Sequence, residues 1–147
     1  MFKQAYLSLF VFSLLFPSIS FAADPKIEHK QISVAATNDE WTPTSIKVAV
    51  GDVLIVNELG SKVKVGAWLG EVGADGASTG EGALHLKIGV GAGQKVGAHG
   101  YVMVTQAGAV KLKVNDSQYA DNLGEFTVNL IRIPAALIPT PQVVAPQ

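Results

Sequence analysis

From residue 32 onward the chain alternates between apolar and polar positions with a period of two, the signature of half-buried strands. Ile32-Ser33-Val34-Ala35 opens the series. Ile46-Lys47-Val48-Ala49-Val50 follows and stops at Gly51-Asp52, a turn signal. Val53 to Val56 is continuously apolar, as in a strand covered on both faces. Val63-Lys64-Val65 is a short alternating piece, and Leu84-His85-Leu86-Lys87-Ile88 a longer one. Tyr101 to Thr105 comes next. Ala109 to Val114 then directs Val110, Leu112 and Val114 to one face and Lys111 and Lys113 to the other. Phe126 to Ile133 ends the series. About eight short strands between glycine-rich turns predict an all-β antiparallel sandwich or jelly roll.

The two ends fall outside this pattern. Lys3 precedes the apolar run Ala5 to Phe16, Pro17 ends it, and Ser20-Phe21-Ala22 offers small residues where a signal peptidase reads. The run has 12 residues, short of the roughly 20 a membrane span requires. Residues 1–22 are therefore expected to be a signal peptide, cleaved after Ala22, and the mature chain exported to the periplasm or beyond the cell with no membrane span. Residues 23–133 form the predicted domain. Residues 134–147 carry no charge and contain Pro134, Pro139, Pro141 and Pro146, so they read as an extended, poorly ordered tail.

Composition narrows the function. Without Lys3, 10 Lys+Arg face 12 Asp+Glu, and no basic stripe appears, which argues against a nucleic-acid partner. The chain has no cysteine, so neither disulfides nor an N-terminal lipid are available. Gly76-Ala77-Ser78-Thr79-Gly80 has the spacing of a hydrolase nucleophile but not the strand before and helix after that the mechanism needs. Gly89-Val90-Gly91-Ala92-Gly93 lacks the strand–turn–helix setting of a dinucleotide site and reads as a turn. His29, His85 and His99 are too far apart in sequence for a local zinc site. His85 falls on the polar face of its strand, and His99 is placed in a turn between glycines. The expectation is a protein that is not an enzyme.

Two segments suggest binding. Gly70 to Gly82 reads as a long exposed loop, bordered by Trp68; Trp41 stands alone elsewhere. Asn115-Asp116-Ser117-Gln118-Tyr119-Ala120-Asp121-Asn122-Leu123-Gly124 links a strong strand to the last one. Its Asp116, Asp121 and Asn122 offer oxygen donors, the chemistry a hard cation such as Ca²⁺ takes in six to eight positions. The same residue types also build ordinary hairpin turns.

The segments Gly82 to Gly89, Gly108 to Asp116 and Asp121 to Val128, with Thr44 to Val65 ahead of them, resemble the PA-IL/LecA-like family of bacterial calcium-dependent galactose-binding lectins. The likeness runs from about Trp41 to Ile133. It implies a galactose-binding-like jelly-roll sandwich with one Ca²⁺ at its rim. By the same resemblance, Asp116 would bind both ion and sugar hydroxyl, Asp121 and Asn122 stand where the family has paired asparagines, and backbone carbonyls near Val65 and Gln118 complete the shell. Asp116, Ser117, Asp121 and Asn122 become the sugar-contact candidates. The 116–122 loop is shorter than the lectin's, and Gly70 to Gly82 contains neither the His nor the Gln of the family's sugar site, so galactose is not carried over. Two functions follow as expectations: a secreted or periplasmic calcium-dependent carbohydrate-binding module with a glycan ligand, or a non-catalytic structural or protein-interaction sandwich in which calcium only stabilises a loop.

Overall fold

A computed structural model describes residues 24–139. The signal-peptide expectation and the tail beyond Pro139 lie outside these residues. The described residues form ten strands: β1 (Glu28–Ala35), β2 (Thr42–Val48), β3 (Val53–Glu58), β4 (Val63–Lys64), β5 (Glu71–Val72), β6 (Leu84–Ile88), β7 (Gln94–Lys95), β8 (His99–Met103), β9 (Gly108–Val114) and β10 (Glu125–Ile133). A one-turn helix α1 (Gly66–Leu69) separates β4 from β5, and a 3₁₀ turn spans Ala135–Leu137.

Two four-stranded antiparallel sheets face each other, in the orders β1-β10-β3-β8 and β2-β9-β6-β7. The alternation explains the core between them. Val110, Leu112 and Val114 of β9 point inward against Phe126, Val128 and Leu130 of β10, and all six are buried. Leu84 and Leu86 extend the layer on one sheet, Val34 and Leu54 on the other. Each fully buried Val, Leu or Phe contributes about 1.5–3 kcal/mol of transfer free energy, so a core of this kind stands without disulfides.

Several expectations change in detail. β2 begins at Thr42 rather than Ile46 because a bulge between Pro43 and Lys47 lets the strand continue. Ser45 sits there at φ 65°, while the buried Thr44 hydroxyl donates to Val110 O at 2.8 Å. The outer face of β3 is only half covered: Ile55 pairs with Tyr101 across the sheet and Val53 with exposed Met103. His85 is half-buried rather than solvated, and Lys95 of the neighbouring edge strand β7 stands opposite it. Burial, and then the charge of Lys95, push its pKa below the usual histidine value. His99 lies in β8 rather than in a turn. Gly70 to Gly82 is not a free loop. Its Glu71-Val72 pairs with Val63-Lys64, and Ala74 is buried in the core. The tail's first residues are ordered: Pro134 is buried, and the 3₁₀ turn after it docks on Gly51 and Asp52.

Candidate functional site

Four stretches of chain meet at one end of β9, and backbone hydrogen bonds explain why. Leu123 exchanges both N–H···O bonds with Lys64 at 2.9 Å, which sets Asn122 beside Val65. Ala36 N–H donates to Gly124 O at 2.9 Å, fastening the end of β1 to the same turn. Gly82 N–H donates to Asn115 O at 2.7 Å, Asn115 N–H to Ala83 O at 2.8 Å, and Asn115 Nδ2 to Gly80 O at 3.1 Å. These three bonds stitch Glu81 to the head of the 116–122 loop. Gly82, at φ +76°, must be glycine: a Cβ there would overlap Val72 Cγ2 and come within 2.8 Å of Val65 Cγ2.

The result is a cleft of about 180 Å³ lined by Val65, Gly66, Trp68, Leu69, Glu81, Asp116, Ser117, Gln118 and Asp121. Five of the six residues singled out in the sequence therefore share one cleft. The sixth, Asn122, is buried beside it, with 1% exposure. Its amide is a strut. Nδ2 donates to Ala36 O at 3.0 Å and to Asp116 Oδ2 at 2.7 Å, and Oδ1 accepts from Gly66 N–H at 3.0 Å. Both amide hydrogens are thereby used, and Oδ1 keeps one lone pair. Asp116 Oδ1 accepts from Ser117 N–H at 2.6 Å, folding the loop into a local turn. The Tyr119 hydroxyl accepts from Asp116 N–H at 3.1 Å, and Lys113 Nζ lies 4.5 Å from the centre of that ring. Asp121 approaches the backbone of Gly66, at φ +61°: a Cβ on Gly66 would lie 3.3 Å from Asp121 Oδ2.

Among the described residues no three His, Cys, Asp or Glu side chains converge tightly enough to hold a metal by themselves. A cation here would draw on Asp116, Asp121, the spare lone pair of Asn122, backbone carbonyls and water. That mixed, all-oxygen set suits Ca²⁺, which accepts carbonyl and amide oxygens and irregular geometry, and does not suit zinc.

Trp68 stands at the cleft on α1 with 98% exposure, so its ring faces solvent. Trp41 is half-covered instead. Its ring packs on Gly93, and Lys87 Nζ lies 4.7 Å from its centre. Glu81 is the lining residue the sequence marks least: it is one of several polar groups in its loop, and only the stitching through Asn115 places it at the cleft. A larger groove, about 380 Å³, opens elsewhere between the β6–β7 hairpin and β8. It contains none of the oxygen-donor residues.

The paired antiparallel sheets form a β-sandwich with the cleft at its rim, and its lectin-like character comes from likeness to a solved domain. Among solved structures, the chain is similar to the EclA N-terminal domain, a PllA-like lectin, with 26% identity, a TM-score of 0.57 and coverage of 70% of this chain and 95% of that one. No protein-family model matches the chain, and no curated protein matches it. No described helix is long and apolar enough to cross a membrane.

Proposed function

We propose that the protein is an exported, non-catalytic carbohydrate-binding module of the PA-IL/LecA type, which holds a glycan through a rim calcium ion. The observation that carries this reading is the shared cleft of Asp116, Asp121, Val65, Gln118 and exposed Trp68. Likeness to a PllA-like lectin domain over 95% of that domain supports it. In this reading Asp116, Asp121, Asn122 and the carbonyls of Val65 and Gln118 hold the ion. The ion supplies a site where sugar hydroxyls replace bound water. In the same reading Asp116 and Ser117, which line the cleft beside the ion's ligands, would contact a hydroxyl held on the ion, and exposed Trp68 would offer a stacking face.

The test is a thermal melt with calcium, with chelator, and with calcium plus sugars. A ligand that binds only the folded state at 100 times its Kd adds about 2.7 kcal/mol, so calcium is expected to raise the melting temperature and a bound sugar to raise it further. Asp116→Ala is expected to abolish the calcium increment while the fold persists. Sugar binding that survives excess chelator would overturn calcium dependence.

A second reading, a protein-interaction sandwich, draws on exposed Tyr101 and Met103 of β8, with half-buried Ile55 of β3 paired opposite Tyr101. It predicts that no sugar shifts the melt.

A further inference from the structure

We infer, resting on the lectin reading above, that Glu81 sets which sugars the cleft takes, favouring neutral and amino hexoses and turning away uronic and sialic acids. The loop between β5 and β6 runs over residues 73–83. Of its polar residues, only Glu81 lines the cleft. Asp75 is committed elsewhere, its Oδ1 accepting from Ala98 N–H at 3.1 Å. Glu81 is held on both sides. Its backbone carbonyl accepts from Ala77 N–H at 2.8 Å, and its Oε2 accepts from the Thr79 hydroxyl at 3.1 Å. A carboxylate fixed in this way accepts hydrogen bonds and donates none.

Charge makes the choice. The lining includes Glu81, Asp116 and Asp121 and no cationic side chain. In the reading this inference rests on, a divalent cation on the two aspartates would balance their charge and leave Glu81 as the net negative group of the lining. A carboxylate on the sugar would meet like charge, whereas an ammonium or hydroxyl would find an acceptor. Three carboxylates alone would be no more than an acidic surface. The independent feature is Trp68, almost fully exposed on the same cleft. It presents a ring face suited to the apolar C–H face of a pyranose, a polar ligand with one dry side.

The experiment is calorimetry on the mature protein at saturating calcium, with galactose, galactosamine and galacturonic acid, for wild type, Glu81→Gln and Trp68→Ala. Galactosamine is expected to bind at least roughly tenfold tighter than galacturonic acid, a gap that Glu81→Gln narrows to about threefold or less. Trp68→Ala is expected to weaken all three sugars together without narrowing the gap. Direct calcium titration of Glu81→Gln is expected to stay within about twofold of wild type, since the ion's shell is built from other residues. An unchanged ratio in Glu81→Gln would sink the inference while leaving the lectin reading in place. Loss of calcium affinity in that variant would put Glu81 in the ion's shell and also overturn it. No binding of any of the three, or of a glycan array, would remove the lectin reading as well.

Discussion

Asn122 carries more of the site's geometry than any other single side chain. Its amide ties Ala36, Gly66 and Asp116 together from a buried position. Asn122→Ala would strand a buried carbonyl and a backbone N–H, each at about 1–3 kcal/mol. The expected loss is about 3 kcal/mol, read from the urea midpoint with an unchanged slope. Asn122→Asp separates strut from charge. It keeps an acceptor for Gly66 but sets a second carboxylate against Asp116, so it is expected to destabilise most without calcium and to recover part of the loss when calcium is added. Asp116, Asp121 and Asn122 were legible as oxygen donors because their residue types announce it. Asn122's main task was not, because it depends on Gly66 and Ala36, which lie 56 and 86 positions away in sequence. Glu81 was obscured for the same reason, being placed only by the bonds at Asn115.

Between elements, the strongest polar tie is Asp52 in the turn before β3. It accepts from Ala49 N–H at 2.9 Å, Ala135 N–H at 3.0 Å and Arg132 Nε at 2.7 Å, and Arg132 also meets Glu28 at 2.9 Å. Burial pushes the Asp52 carboxyl upward, but these donors outweigh it and hold its pKa below the ordinary 3.8. The sign follows from linkage. A carboxyl whose pKa is lower when folded stabilises fully above the unfolded value and loses that contribution as pH falls through the folded one. Stability should therefore drop below about pH 4, and Asp52→Asn should show a shallower drop. Near neutrality Asp52→Ala is expected to cost about 3 kcal/mol, the lower end for a broken buried pair, because Arg132 keeps some access to water. Denaturant melts from pH 7 to pH 2.5 check both. Most of the longer strands were legible from alternation, Leu84 to Ile88 to the residue, and β3 from a continuous apolar run. The two-residue strands β4, β5 and β7 and the turn of α1 were not all legible, since pieces this short exist only through their neighbours. Arg132 gave no local sign of its partner, 80 positions earlier.

Across the whole molecule the chain moves between the two main sheets at nearly every connection, and β6 to β7 is the hairpin that stays within one. Turn signals could mark where strands end, but they could not say that β10 lies between β1 and β3, because those pairings span most of the chain. The same non-local closure fixes where the folded unit stops. Sequence placed its edge at Ile133, where charge runs out and prolines begin. In the structure Pro134 is buried, Ala135 N–H reaches Asp52, and the Ala135 Cβ packs over Gly51. The domain thus needs its 3₁₀ turn to complete the Asp52 shell. Compared with a chain ending after Pro139, one ending after Ile133 loses a charge-assisted hydrogen bond worth about 1.5–3 kcal/mol. For a domain of this size that corresponds to a melting temperature lower by roughly 5–10 °C. The difference should shrink in an Asp52→Asn background, because the donor at Ala135 then meets a neutral acceptor. Equal melting temperatures for the two chains would return the boundary to Ile133. They would also mean that water serves Asp52 as well as Ala135 does.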